Sequence, residues 1–272
     1  MFAKLLKYEW KATSKVLGIL SLAALGAGAL GALMLRMLCN NAGDNLTLAI
    51  FSGFAMLAVV LALVAYAVAT TILLVARFYR NKFTDEGYLT FTLPVSCHQL
   101  LLSTVVNMLL WMLIAAAVLV VSGGMIILIG TADKGLFNME FLREIGDGFR
   151  FLGSAYTELG WNVGHTILSC LNVALSTLSG IITMLTAITI GAVIAKKHKI
   201  LAAFGIYYGI NIAVSTLSAT TSTLVSINSW EASNALSTVD ITMVFQLILA
   251  MVMIVGGYLL TTHLMRNKLN LS

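Results

Sequence analysis

Six apolar stretches constrain this chain more than any other feature. They run over Val16–Leu38, Leu46–Ala76, Leu100–Gly130, Thr166–Ala195, Ile200–Val225 and Ile241–Thr262. A helix rising about 1.5 Å per residue needs about 20 apolar residues to cross a hydrocarbon core about 30 Å thick, and each stretch meets that length. The segments between them alternate in charge. Twelve of the sixteen Lys and Arg residues fall on one side: Lys4, Lys7, Lys11 and Lys15; Arg77, Arg80 and Lys82; Lys196, Lys197 and Lys199; Arg266 and Lys268. The other side holds Arg36, Lys134, Arg143 and Arg150 together with most of the acids. Basic loops stay cytoplasmic, so both termini are expected inside the cell membrane. The expected fold is all-α: a polytopic integral membrane bundle of six transmembrane helices in one domain spanning 1–272, with an N-terminal interfacial helix and an outer amphipathic helix.

Composition agrees with a bilayer as solvent. Apolar residues make up 60% of the chain and charged residues 10%. The mean hydropathy is +0.97, outside the range of a soluble domain. The basic clusters suit anionic lipid headgroups, and no nucleic-acid partner is expected. The first fifteen residues carry too much charge for a signal-peptide core, so the first span is expected to remain in the mature protein. Cys39, Cys97 and Cys170 form no metal pattern. Cys39 and Cys170 both fall near the outer face, where they are either two unpaired thiols or one bond.

Residues 1–15 place Lys4, Lys7, Lys11 and Lys15 at helical spacing, with Phe2, Leu5, Leu6 and Trp10 mostly on other faces. That pattern predicts a basic amphipathic helix at the headgroup level, as an anchor or as a mechanical part of a larger machine. In the first span, Gly26, Gly28 and Gly31 predict close contact with another helix, with a substrate path as the weaker alternative. The loop around 77–99 is the most structured cytoplasmic segment. Thr84 is placed to cap a short helix carrying Asp85 and Glu86 in its first turn, Pro94 ends that element, and Ser96 with Gln99 reads as a capping box for the third span. Phe78, Tyr79, Phe83, Tyr88 and Phe91 give this loop more aromatic surface than a solvated loop requires: some are expected at the headgroup level, and an exposed remainder would be a docking surface. On the outer side, residues 131–165 contain a helical pattern in which Met139, Leu142, Gly146, Phe149 and Leu152 oppose Glu140, Arg143, Glu144, Asp147 and Arg150.

Two spans carry polar stripes. Ser169, Asn172, Ser176, Ser179 and Thr183 share a face of the fourth, and Asn211, Ser215, Ser218 and Ser222 a face of the fifth. Such groups either pack helices through hydrogen bonds or line a hydrated path. The segment 226–240 is polar and is expected to form a short outer helix or a re-entrant hairpin. There is no Gly-rich phosphate loop of the GxxxxGK[ST] type, no HExxH, no CxxC and no paired-carboxylate site, so no catalytic or metal site is expected in this chain. The span interiors hold no Asp, Glu, Lys or Arg to bind a coupling ion, and energy for transport is expected from outside the membrane. The competing classes are a self-powered carrier or channel, and a membrane scaffold or sensor without transport.

Two stretches add a resemblance. Met1–Thr13 (MFAKLLKYEWKAT) and Asn81–Ser96 (NKFTDEGYLTFTLPVS) resemble the type 2 permease subunits of bacterial, Gram-positive-type ATP-binding-cassette transporters. The resemblance implies an exporter half that pairs with a second permease copy or paralogue and with separate nucleotide-binding subunits. ATP and Mg would bind those partners, and this chain would itself be no enzyme. It further implies that Lys4, Lys7, Trp10 and Lys11 belong to the interfacial helix. Phe83, Thr84, Asp85, Glu86, Gly87 and Tyr88 would form the coupling element that touches the ATPase. The outer loop 131–165 is larger than the compact pattern of that family.

Overall fold

The computed structural model describes residues 2–41, 46–84, 96–130, 143, 146–148, 150–151, 153–154, 163–195, 198–229 and 235–267. Among these, all regular structure is α-helical. The six long helices are α1 (Phe2–Asn41), α2 (Leu46–Phe83), α3 (Cys97–Gly130), α4 (Val163–Ile194), α5 (Lys199–Ser229) and α6 (Ala235–Asn267). All six are long and apolar enough to cross a membrane, and the chain is an all-α, polytopic membrane protein. The described residues between 143 and 154 are helical too, with an exposed Arg150–Asp147 ion pair at 3.3 Å. Met139, Leu142, Phe149 and Leu152 of the expected apolar face lie outside the described residues.

The helices exceed the apolar stretches that predict them. Residues 2–15 are helical and continue without interruption into the first span, giving a 40-residue α1. At about 1.5 Å per residue that is about 60 Å, twice a hydrocarbon core, so the four lysines need not enter lipid. Within 226–240, where a re-entrant hairpin or a separate outer helix is expected, α5 continues to Ser229 and α6 begins at Ala235, while residues 230–234 lie outside the described residues. The reason is local. Ser222 and Thr223 donate to the Ala219 carbonyl and Ser226 donates to the Thr223 carbonyl, so these hydroxyls are satisfied without leaving the helix.

The chain divides into two compact units. The first combines Ala3–Leu74 with Leu110–Gly153. Here α1 packs through small residues: a Cβ on Gly28 would sit 2.7 Å from Ser122 Cβ, and one on Gly31 would sit 2.8 Å from Val59 Cγ1. Gly26 meets nothing within 4 Å, because it points to the far side of the helix from Gly28. Ala24, Tyr66, Ala115 and Val118 form the core, and Tyr66 Oη meets Ser21 Oγ at 3.0 Å. Trp10 stacks on Trp111 with ring centroids 4.9 Å apart, and Trp111 Nε1–H donates to Thr13 Oγ1 at 2.9 Å. Trp10 and Thr13 of the N-terminal segment therefore rest on Trp111 of α3.

The second unit comprises Met1–Phe2, Val75–Leu109 and Ser154–Ser272. Its centre is α4, which packs broadly on both α5 and α6, while those two touch each other much less. Glycines allow the closest approaches. A Cβ on Gly191 would lie 2.6 Å from the Ala203 backbone nitrogen, and one on Gly257 would lie 2.8 Å from Ile182 Cγ2. Thr186 Oγ1 is within hydrogen-bond distance of the Ile182 carbonyl (2.7 Å), the Gly257 carbonyl (3.2 Å) and Thr261 Oγ1 (2.9 Å). As expected, Ser96 caps α3: its Oγ accepts from Gln99 N–H at 3.3 Å. All three cysteines are free thiols.

Candidate functional site: an uncharged polar cleft at mid-span

Because α5 and α6 both lean on α4 yet meet each other sparsely, a cleft of about 260 Å³ opens between the three helices. Its floor runs from Asn172 to Thr183 on α4, about 16 Å of helix. One wall is Ile210 to Ser218 of α5 and the other Gln246 to Met253 of α6. Each of these is the central portion of its helix, so the cleft sits at mid-span, where a bilayer offers no water to polar groups.

Each helix brings one carboxamide to the lining. Asn172 Nδ2 lies 3.2 Å from the Met243 carbonyl and 3.2 Å from Gln246 Oε1, tying α4 to α6. Asn211 Nδ2 donates to the Tyr207 carbonyl of its own helix at 2.8 Å. Ile210, Val214, Leu249 and Met253 make the rest of the walls apolar. No lining residue is ionisable.

The hydroxyls of α4 and α5 fall into two groups. Outside the cleft, Thr177, Thr186, Thr189, Ser215, Thr216, Thr220 and Thr221 each donate to a carbonyl three or four residues back. Ser176 at the cleft edge does the same. By contrast, Ser179, Thr183 and Ser218 have no hydrogen-bond partner among the described residues, and all three line the cleft. The cleft thus combines donors already engaged across helices with hydroxyls open to an incoming group.

The expected polar stripe is therefore largely assembled, with amendments. Asn172, Ser176 and Asn211 line the cleft, as do Ser179, Thr183 and Ser218. Ser169 lies one turn before it, with Oγ 3.8 Å from Met243 Sδ. Ser215 is outside: it sits about 40° round α5 from Asn211, away from Val214, and its hydroxyl bonds the Ile212 carbonyl. Gln246 was not anticipated. It is the one carboxamide in the sixth span between Ile241 and Thr262, and that isolation was the available signal.

At the expected coupling element the picture is narrower. Phe83 is buried at 7% exposure, edge-on to Phe78 and stacked with Tyr79. The cause is that α2 runs on past Ala76, carrying its aromatic end inward with Lys82, whose Nζ lies 3.4 Å from the Leu100 carbonyl. Thr84 closes α2 by donating to the Arg80 carbonyl. The short helix it was expected to open falls in 85–95, and Asp85, Glu86, Gly87 and Tyr88 lie outside the described residues. In the N-terminal segment, Lys4, Lys7 and Lys11 are exposed while Trp10 is half-buried against Trp111.

No protein-family model matches the chain, and no curated protein or solved structure matches it.

Proposed function

We propose that this chain is the membrane-spanning permease subunit of an ATP-binding-cassette exporter, sited in the cell membrane with both termini cytoplasmic. A second permease copy or paralogue completes the path, and separate nucleotide-binding subunits hydrolyse ATP with Mg. The observation that carries the reading is the chemistry of the cleft. It is a polar space at mid-span with no ionisable group, so it offers a place for a solute and no carboxylate or amine through which an ion gradient could drive it. Active transport through such a site would draw on an external motor. The resemblance of Met1–Thr13 and Asn81–Ser96 to type 2 permeases supplies the kind of motor, and the charge asymmetry favours the 84–96 connector lying on the side where ATP is found.

The test is coupling. The chain is purified with the ATPase that co-purifies with it and is reconstituted in vesicles. Replacing Asp85, Glu86 and Tyr88 together by Ala is expected to leave the folded permease intact and to lower permease-stimulated ATP hydrolysis by about tenfold, the loss of a small docking hot spot. Unchanged stimulation, or failure of any Walker-type ATPase to co-purify, counts against the reading.

A further inference from the structure

We propose that the cleft between α4, α5 and α6 is a wetted binding site for a small, uncharged solute bearing hydroxyl or carboxamide groups. This rests on the permease reading and deepens it by naming the substrate class. Three observations support it.

The first is selectivity by omission. A buried charge is stable only beside an opposite charge or an ample set of fixed dipoles, and the lining supplies no ionisable side chain. An ion entering would lose its hydration for a wall half made of Ile210, Val214, Leu249 and Met253. A neutral solute carries a far smaller desolvation cost.

The second is the partition of hydroxyls. Nearly every other described Ser and Thr on α4 and α5 turns back to its own backbone or reaches a group on another helix, the cheap solution within lipid. The three that do not, Ser179, Thr183 and Ser218, line the same cavity from two helices. An unmade hydrogen bond at mid-span is costly, so these groups call for a partner from outside the chain. Hydroxyls donate and accept, as carboxamides do through separate atoms, and a polyol or an amide can answer both.

The third is tight packing at one end. Past Thr183, Gly191 lies against Ala203 and Gly257 against Ile182 and Thr186, so α5 and α6 each approach α4 closely there.

The test uses the full chain in lipid nanodiscs, with Cys39, Cys97 and Cys170 replaced by Ser and single cysteines introduced as Ser179→Cys, Thr183→Cys and Ser218→Cys. Neutral hydroxyethyl methanethiosulfonate is expected to label all three. Its trimethylammonium and sulfonate counterparts, each normalised to its rate with a free thiol, should react at least about tenfold more slowly. Saturating glycerol or acetamide should slow the neutral reagent by about threefold or more, as occupancy of the site requires. Thr220→Cys, whose native hydroxyl bonds the Leu217 carbonyl on the other side of α5, should show no such protection. Equal rates for charged and neutral reagents would overturn the proposal, as would no labelling in a monodisperse protein, or labelling without protection by either solute. Should one variant fail to fold, the other two positions still read the cleft. No ATPase takes part in the labelling, so failure here is distinguishable from a failure to co-purify with a motor.

Discussion

Trp111→Ala is expected to destabilise the protein by about 2 to 4 kcal/mol, a large effect for one side-chain truncation. Trp111 is only 4% exposed, stacks on Trp10 and donates to Thr13, so one side chain joins α3 to the N-terminal segment of α1. For soluble proteins, removing a buried Trp costs about 3 to 5 kcal/mol, from a transfer term plus a cavity term. Lipid is about as apolar as a protein core, which removes much of the transfer term and leaves the lost packing. Trp111→Phe keeps most of the ring and loses the hydrogen bond, which is worth about 1 kcal/mol. Denaturation by SDS titration in mixed micelles ranks the three proteins. Equal stability of the Ala and Phe variants would mean that the stacking between the two indoles contributes nothing.

Gly191→Ala and Gly205→Ala should shift stability in opposite directions. Alanine is the better helix former by about 0.5 to 1 kcal/mol, and at Gly205 nothing lies within 4 Å of the new methyl, so that gain is realised. At Gly191 the same methyl would lie 2.6 Å from Ala203 N and 2.7 Å from its Cα. Backbone cannot rotate away, so α4 and α5 must separate. Overpacking of this sort costs about 1 to 3 kcal/mol and outweighs the propensity gain. Thermal unfolding of the two variants in the same detergent decides the sign. A stabilised Gly191→Ala would show that the α4–α5 contact is loose.

The features most readable in the sequence were those set by local chemistry. Six apolar runs give six helices, and Ser96 with Gln99 opens α3 as its spacing requires. Gly28 and Gly31 sit in a helix contact because small residues permit one, but only the packed structure reveals that Gly26 points elsewhere. Charge and hydropathy mark where a helix must leave lipid and leave unmarked how far it continues afterwards. That is why α2 overruns Ala76 and buries Phe83, and why one helix runs on to Ser229 while the next begins at Ala235. The cleft was half legible. The stripes on α4 and α5 are visible as three- and four-residue spacings. Which hydroxyls remain open depends on a third helix, and the lone Gln246 gives no periodic signal on α6.

Each unit has its own fastening. Trp10, Thr13 and Trp111 fix the N-terminal segment, while Thr186, Gly191 and Gly257 hold α4, α5 and α6 together beside a cleft that contains no charge. A motor acting on the 84–96 connector would act directly on the ends of α2 and α3, since Thr84 follows the last turn of α2 and Ser96 caps α3. The proposed mechanism therefore requires this connector to face the compartment that holds ATP. The direct measurement places a single cysteine by Thr84→Cys in a chain otherwise free of cysteine. A membrane-impermeant maleimide is then applied to right-side-out and to inverted membrane vesicles. Labelling in inverted vesicles alone is the predicted result; labelling in right-side-out vesicles alone would contradict the mechanism.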